Sequence, residues 1–161
     1  MSDGFLSNVS FLVADDQEFV RQLVRQILGC AGARLIQEAS DGEEAWARFN
    51  YNPADILLPD WEMHPMDGIE LTRKVRNDKA SPNAYVPIIM MTGYSEQGRV
   101  LMARDAGIHE FLIKPMSPKA LFNRIEAVIN RPRPFIRLAN YFGPDRRRSN
   151  RPFDGKDRRK G

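Results

Sequence analysis

The feature that most constrains this chain is a fivefold alternation. Short apolar runs of strand length occur at residues 9–14, 34–39, 55–59, 86–91 and 110–113, and each is followed by a segment with helical spacing. In the first such segment Val20, Leu23, Val24, Ile27 and Leu28 stand at i, i+3, i+4, i+7 and i+8, one buried face of a helix that Gly29 and Gly32 end. Ser40-Asp41-Gly42-Glu43 has capping-box spacing and opens a second helix with Ala45, Trp46 and Phe49 inward. Asp67-Gly68-Ile69-Glu70 caps a third, with the stripe Leu71, Thr72 and Val75. The fourth, from about residue 96 to 106, has a thin stripe, Val100 and Ala103, and is expected to be weakly anchored. Ser117-Pro118 starts the fifth, which buries Leu121, Phe122, Ile125, Val128 and Ile129. Strands alternating with amphipathic helices predict an α/β fold, a parallel sheet covered on both faces, and right-handed crossovers make it doubly wound.

An open sheet of this kind exposes its chemistry at the carboxyl edge of the strands. The first strand ends at Asp15 and Asp16, the third at Asp60, the fourth at Thr92 and the fifth at Lys114. Any one of these is an ordinary residue; Asp60 alone reads equally well as a helix-capping or solvent-facing loop carboxylate. Together they bring three carboxylates, a hydroxyl and an ammonium to one place. Crowded carboxylates repel and call for a cation, and hard oxygen donors without a thiol or paired histidine favour Mg²⁺ over zinc. A lysine and a threonine beside them suit a phosphoryl group's oxygens, which leaves Asp60 as a nucleophile.

The same set, with Met66-Asp67-Gly68 beyond the third strand, Thr92-Gly93 after the fourth and Ile113-Lys114-Pro115 after the fifth, resembles the receiver domain of two-component response regulators over residues 8–130. The resemblance implies a flavodoxin-like (βα)5 sheet in the order 2-1-3-4-5. It implies that Asp60 accepts a phosphoryl group from a phosphohistidine of a sensor histidine kinase or phosphotransfer protein. Asp16 and Asp60 would hold Mg²⁺ directly with the backbone carbonyl of Glu62, and Asp15 through water. Lys114 would contact the phosphoryl group, Thr92 would move toward it, and Phe111 would change rotamer in step. The face made by the fourth helix, fifth strand and fifth helix would then change shape for a downstream protein. A cis Lys114-Pro115 bond is also implied.

Some residues depart from the family's usual pattern. The proline beyond the acceptor is Pro65 rather than the residue after Met63, and His64 stands there instead, expected as a partly exposed loop residue. Pro59, directly before Asp60, removes a backbone donor from a central strand, a loss tolerable at a strand end. Glu62 and Tyr94 flank the expected pocket mouth. Phe111 has no hydroxyl, so a switch using an aromatic hydrogen bond is ruled out.

The net charge of +3 conceals a split. Residues 1–130 carry 13 Lys plus Arg against 18 Asp plus Glu, and residues 131–161 carry 11 against 3. The division expected is a receiver domain over 1–130 and a flexible, basic Pro/Arg-rich extension over 131–161. In the extension, Gly143-Pro144-Asp145-Arg146-Arg147-Arg148 recurs as Gly155-Lys156-Asp157-Arg158-Arg159-Lys160, and residues 135–142 are apolar and aromatic enough to dock. The repeat predicts a pair of short motifs for an acidic surface, with Arg146, Arg147, Arg148, Arg158, Arg159 and Lys160 as contacts. The extension has no room for a winged helix or other DNA-reading domain, which argues against sequence-specific DNA binding; nonspecific nucleic-acid contact and a homodimer are compatible with it. No apolar run is long enough to span a bilayer, and no secretory signal opens the chain. Cys30, the single cysteine, fits a reducing cytoplasm and is expected to pack in the core.

Function therefore reads as a stand-alone signalling receiver that catalyses only its own phosphorylation and dephosphorylation. Two other readings compete. A phosphatase of the haloacid dehalogenase type wants a second aspartate two residues after the first, where this chain has Glu62. A receiver acting as phosphate sink or scaffold for a basic tail would bind an acidic protein or nucleic acid, but the complete Asp, Thr and Lys set argues against a degenerate site.

Overall fold

The structure, a computed structural model, describes residues 4–93 and 97–145. Tyr94 and the tail residues Arg146, Arg147, Arg148, Arg158, Arg159 and Lys160 lie outside the described residues. The alternation is realised as β1 (Ser10–Ala14), α1 (Glu18–Cys30), β2 (Leu35–Ala39), α2 (Gly42–Tyr51), β3 (Ile56–Pro59), α3 (Gly68–Asn77), β4 (Ile89–Thr92), α4 (Gln97–Ala106), β5 (Glu110–Ile113) and α5 (Pro118–Asn130). Two further strands follow, β6 (Phe135–Leu138) and β7 (Tyr141–Pro144).

Parallel ladders join β2 to β1, β1 to β3 and β4 to β5. β4 is set beside β3 by two isolated parallel bridges, Leu57 to Ile88 and Asp60 to Met91. The break between them has a local cause. Leu57 N donates to Pro87 O and Trp61 N to Met91 O, each 2.9 Å, so alternate residues of β3 face β4 with their amides. Pro59 is the intervening residue, and it has no amide to give. The loss foreseen at Pro59 thus falls on the β3–β4 seam, while β3 stays laddered to β1 through Ala14 and Pro59.

Alternation along the strands makes two cores. Phe11, Val13, Leu58 and Ile89 pack on Val24, Leu28, Leu121 and Ile125 of α1 and α5. Leu12, Leu57 and Met90 pack on Phe49, Leu71, Val75 and Ala103 of α2, α3 and α4. The sheet is covered on both faces, as a doubly wound flavodoxin-like fold requires.

Several local expectations hold. Asp67 and Glu70 form a reciprocal capping box on α3, Ser117 caps α5 with Pro118 in its first turn, and Lys114-Pro115 is cis, as is His64-Pro65. Others shift. Asp41, not Ser40, caps α2 by accepting from Glu44 N, while the Glu44 carboxylate takes the Ser40 amide and hydroxyl. β4 starts at Ile89 rather than residue 86, because the Ile88 amide is taken by His109 Nδ1 at 3.2 Å. Cys30 is exposed rather than packed; the buried positions of α1 are Val20, Val24, Ile27 and Leu28, and residue 30 falls off that stripe.

The largest difference concerns the extension. A flexible segment from residue 131 is not what the chain forms up to Asp145. β6 and β7 pair as an antiparallel hairpin, β7 lies against α3 and α4, and Tyr141, Phe142 and Asp145 are buried. The reason is apolar area: Tyr85 meets Phe135 and Phe142 edge-on, and those two rings lie tilted 5.5 Å apart, in one aromatic cluster. Gly143-Pro144-Asp145, the start of the first motif copy, is thereby part of the fold rather than a free linear motif. Among the described residues no helix is long and apolar enough to cross a membrane.

Candidate functional site

The carboxyl ends of β1, β3, β4 and β5 meet as the strand register requires. Asp60 N donates to Ala14 O at 2.7 Å and Asp15 N to Ala39 O at 3.0 Å, so both aspartates are fixed by continuation of the ladders that precede them. Lys114 N donates to Thr92 O at 2.7 Å, which ties the end of β5 to the end of β4. Asp15, Asp60 and Thr92 are buried, while Asp16 and Glu62 are exposed at the rim.

Carboxylate oxygens of Asp15, Asp16 and Asp60 lie within 4.8 Å of one another. Lys114 Nζ reaches into the group, 2.6 Å from Asp15 Oδ2 and 3.1 Å from Asp60 Oδ1. Asp15 is also held from its other side: Gln17 N donates to its Oδ1 at 2.9 Å and Arg21 Nη1 to its carbonyl at 2.6 Å. Three hard oxygen donors with one cation among them leave a net negative charge, which is the chemistry of a Mg²⁺ or similar divalent site.

The electrostatics follow from burial. Desolvation, and then the neighbouring Asp15 charge, raise the Asp60 pKa from 3.8 to about 6, against the pull of Lys114. For Lys114 burial works against the charged form, but the hydrogen bond to Asp15 and the charges of Asp60 and Asp15 outweigh it and hold the ammonium above its ordinary pKa. At neutral pH the site therefore presents an ionised, poorly solvated carboxylate on Asp60 beside a fixed cation.

The loop after Asp60 turns inward. Trp61 and Met63 are buried in the α2–α3–α4 core, His64 is exposed, and Gly68 N closes the loop on Trp61 O at 2.9 Å. Gly68 approaches Asp60 so closely that a Cβ there would meet Asp60 O and, at 2.8 Å, Met90 Sδ. Phe111 is half-buried against the same core, its ring edge-on to Trp61 with centroids 6.3 Å apart. Trp61 had no role in the sequence reading; its position next to Asp60 was the available signal.

A receiver-domain model, described as the response regulator receiver domain, matches residues 11–126. The chain belongs to the response regulator receiver family. This receiver is 33% identical over 122 residues to the chemotaxis protein CheY1 of Helicobacter pylori, an alignment covering 75% of this chain and 97% of that one. It is 34% identical to the CheY homolog of Campylobacter jejuni, over 75% of this chain and 92% of the other. Among solved structures, Vibrio cholerae CheY4 superposes with a TM-score of 0.69 at 28% identity, covering 75% of this chain and 98% of CheY4. A CheX–CheY–BeF3–Mg complex from Borrelia burgdorferi matches with a TM-score of 0.67 at 26% identity, covering 74% and 88%. The receiver's linker and hairpin lie beyond the residues that the family model matches.

Proposed function

We propose that the protein is a single-domain response regulator of a phosphorelay, working in the cytoplasm, in which Asp60 takes a phosphoryl group from a phosphohistidine of a kinase or phosphotransfer protein. An Asp60 carboxylate oxygen attacks phosphorus in line, the new P–O bond forms as the P–N bond breaks, and the imidazole nitrogen leaves with the electron pair and takes up a proton. The supporting observation is the Asp60 carboxylate itself: buried, ionised above pH about 6, and within reach of Lys114. A bound Mg²⁺ would supply positive charge where carboxylate and phosphoryl group meet, held by Asp16, Asp60 and the Glu62 backbone carbonyl, with Asp15 through water.

Phosphorylation adds oxygens that compete for Lys114, now shared by Asp15 and Asp60. Thr92, at the end of β4, turns to the new oxygens, and Phe111 moves against Trp61 in response. α4 follows Thr92 in the chain and is thinly anchored: Leu101 and Met102 are exposed, and the buried residues among those described are the small Ala103 and Ala106. The α4–β5–α5 face then meets a downstream protein, and the arginine-rich tail supplies a second contact. No reaction beyond the protein's own phosphorylation and its reversal is assigned.

A phosphorus–nitrogen donor tests this directly. Phosphoramidate with Mg²⁺ should give an aspartyl phosphate signal by ³¹P NMR in the wild type and none in Asp60→Asn. The same signal in both would remove Asp60 from the mechanism.

A further inference from the structure

At the edge of the sheet opposite the phosphorylation site, Arg76 is buried with 2% of its surface exposed. It is the last buried residue of α3, and its guanidinium gathers segments far apart in sequence. Nε donates to Gly107 O at 2.9 Å, Nη1 to Ala84 O at 2.9 Å and to Val86 O at 2.7 Å, and Nη2 sits 3.2 Å from His109 Nδ1. His109 Nδ1 also accepts from Ile88 N at 3.2 Å, so it acts as an acceptor and the ring is neutral. Arg76 thus ties the end of α3, the approach to β4, the end of α4 and the approach to β5.

The hairpin closes this cluster. The Phe135 ring lies over the Arg76 guanidinium, 5.0 Å from its carbon, and 5.3 Å from the His109 ring. Phe142 O would lie 3.1 Å from a Cβ on Gly107, whose φ of +107° ends α4 as glycine allows. Arg133, in the linker, pairs with Glu110 at the start of β5 at 3.0 Å. Yet the seam is not a closed core: a groove of about 310 Å³ remains between hairpin and helices, bordered by Arg73, Asn77, Asp105 and Arg137. A two-stranded hairpin is marginal by itself, so its order depends on these docking contacts.

These contacts meet the switch at one element. α4 begins five residues after Thr92 in the chain and ends just before Gly107, which lies against the Phe142 carbonyl. Resting on the phosphorylation reading above, we propose that the β6–β7 hairpin is a built-in restraint on that switch: docked on Arg76, Gly107 and Glu110 it holds α4 and β5 in the unphosphorylated arrangement, and its release favours the phosphorylated one. The sign follows from the geometry. The hairpin is docked while Lys114 still bridges Asp15 and Asp60, and a contact fitted to this placement of α4 is weakened when α4 moves. Linkage then works both ways, so site occupancy loosens the hairpin and loosening the hairpin raises site affinity.

The test uses full-length chains and beryllofluoride with Mg²⁺ as the probe. Phe135→Ala removes the ring over Arg76, and Arg133→Ala removes the linker's 3.0 Å pair to Glu110 while leaving Glu110 its contact with Arg124 at 3.8 Å, so it reports even if the first variant fails to fold. Expected are a roughly fivefold or greater gain in beryllofluoride affinity for each folded variant, and faster amide exchange across residues 135–144 in saturated wild type. Wild type that binds beryllofluoride while a folded variant binds it equally or more weakly overturns the restraint alone. Wild type that does not bind beryllofluoride overturns the phosphorylation reading, and the restraint with it.

Discussion

Lys114 Nζ lies 2.6 Å from Asp15 Oδ2, and that carboxylate is fully buried. The pair holds this ammonium in place before any phosphoryl group arrives, and the same ammonium is 3.1 Å from Asp60. Removing it should harm the chemistry and not only the packing. Lys114→Ala is expected to lift the Asp60 pKa further above its value of about 6, because Lys114 is what pulls that value down. Labelling by a small-molecule phosphodonor should fall about a hundredfold, the usual loss for one aimed charge-stabilising group. Carboxyl-carbon NMR for the pKa and a labelling time course for the rate check the two parts separately.

Asp60 also makes stability depend on pH. Its pKa rises from 3.8 to about 6 on folding, so the folded state keeps a proton that the unfolded chain has released between those values. That contribution is complete below about pH 3.8 and is lost as pH rises through about 6. Asp60→Asn should therefore be the more stable protein at pH 7 in metal-free buffer, by about 1–2 kcal/mol after solvent screening, and the gap should close toward pH 4. His109 works in the other direction. Burial, first, and then the nearby Arg76 charge lower its pKa to about 3, so its contribution is lost as pH falls below about 6.5. Urea titrations at several pH values should show opposing slopes in the wild type and the unopposed His109 slope in Asp60→Asn. Added Mg²⁺ at pH 7 should raise the wild-type melting temperature more than that of the variant.

Gly68 is required by space. A Cβ there would collide with Asp60 O and press on Met90 Sδ at 2.8 Å. Gly68→Ala is expected to cost about 1–3 kcal/mol and to slow labelling, because relief of the clash displaces the acceptor's own backbone. Chemical denaturation and the labelling assay measure both; an Ala variant with wild-type stability and rate would show that the loop yields freely.

For the hairpin, burial separates two neighbouring residues. Phe135 stacks on Arg76 and the aromatic cluster, so Phe135→Ala should lower stability by about 1–2 kcal/mol. Leu138 is 52% exposed, and Leu138→Ala should stay within about 0.5 kcal/mol. Equal effects in urea melts would mean that the hairpin does not dock in solution.

The fold and the meeting of Asp15, Asp60, Thr92 and Lys114 were legible in the sequence for one reason: each stands at or just past the end of a strand, and parallel strands deliver their ends to one edge. Knowing where the apolar runs at 9–14, 55–59 and 110–113 stop is enough to bring Asp15, Asp60 and Lys114 together. The opposite edge was not legible. Arg76 continues the buried stripe of Leu71, Thr72 and Val75, which is a signal, but its partners are backbone carbonyls of Ala84, Val86 and Gly107 that only the tertiary fold assembles. The hairpin was hidden by composition: Phe135, Tyr141 and Phe142 sit in an arginine- and proline-rich segment that reads as linker. Cys30 sits between residues that break the pattern, Gly29 and Gly32, so the sequence does not show that it falls off the buried stripe of α1. The Asp41 cap was missed because Ser40 and Glu43 offered the same spacing one residue early.

Phosphorylation by acetyl phosphate, followed by intact mass and peptide mapping with and without chelator, tests the assignment of Asp60 most directly. The expected result is one phosphoryl group per chain, mapped to the peptide holding Asp60, absent in Asp60→Asn and absent when divalent cations are removed. Equal labelling of wild type and Asp60→Asn would contradict it.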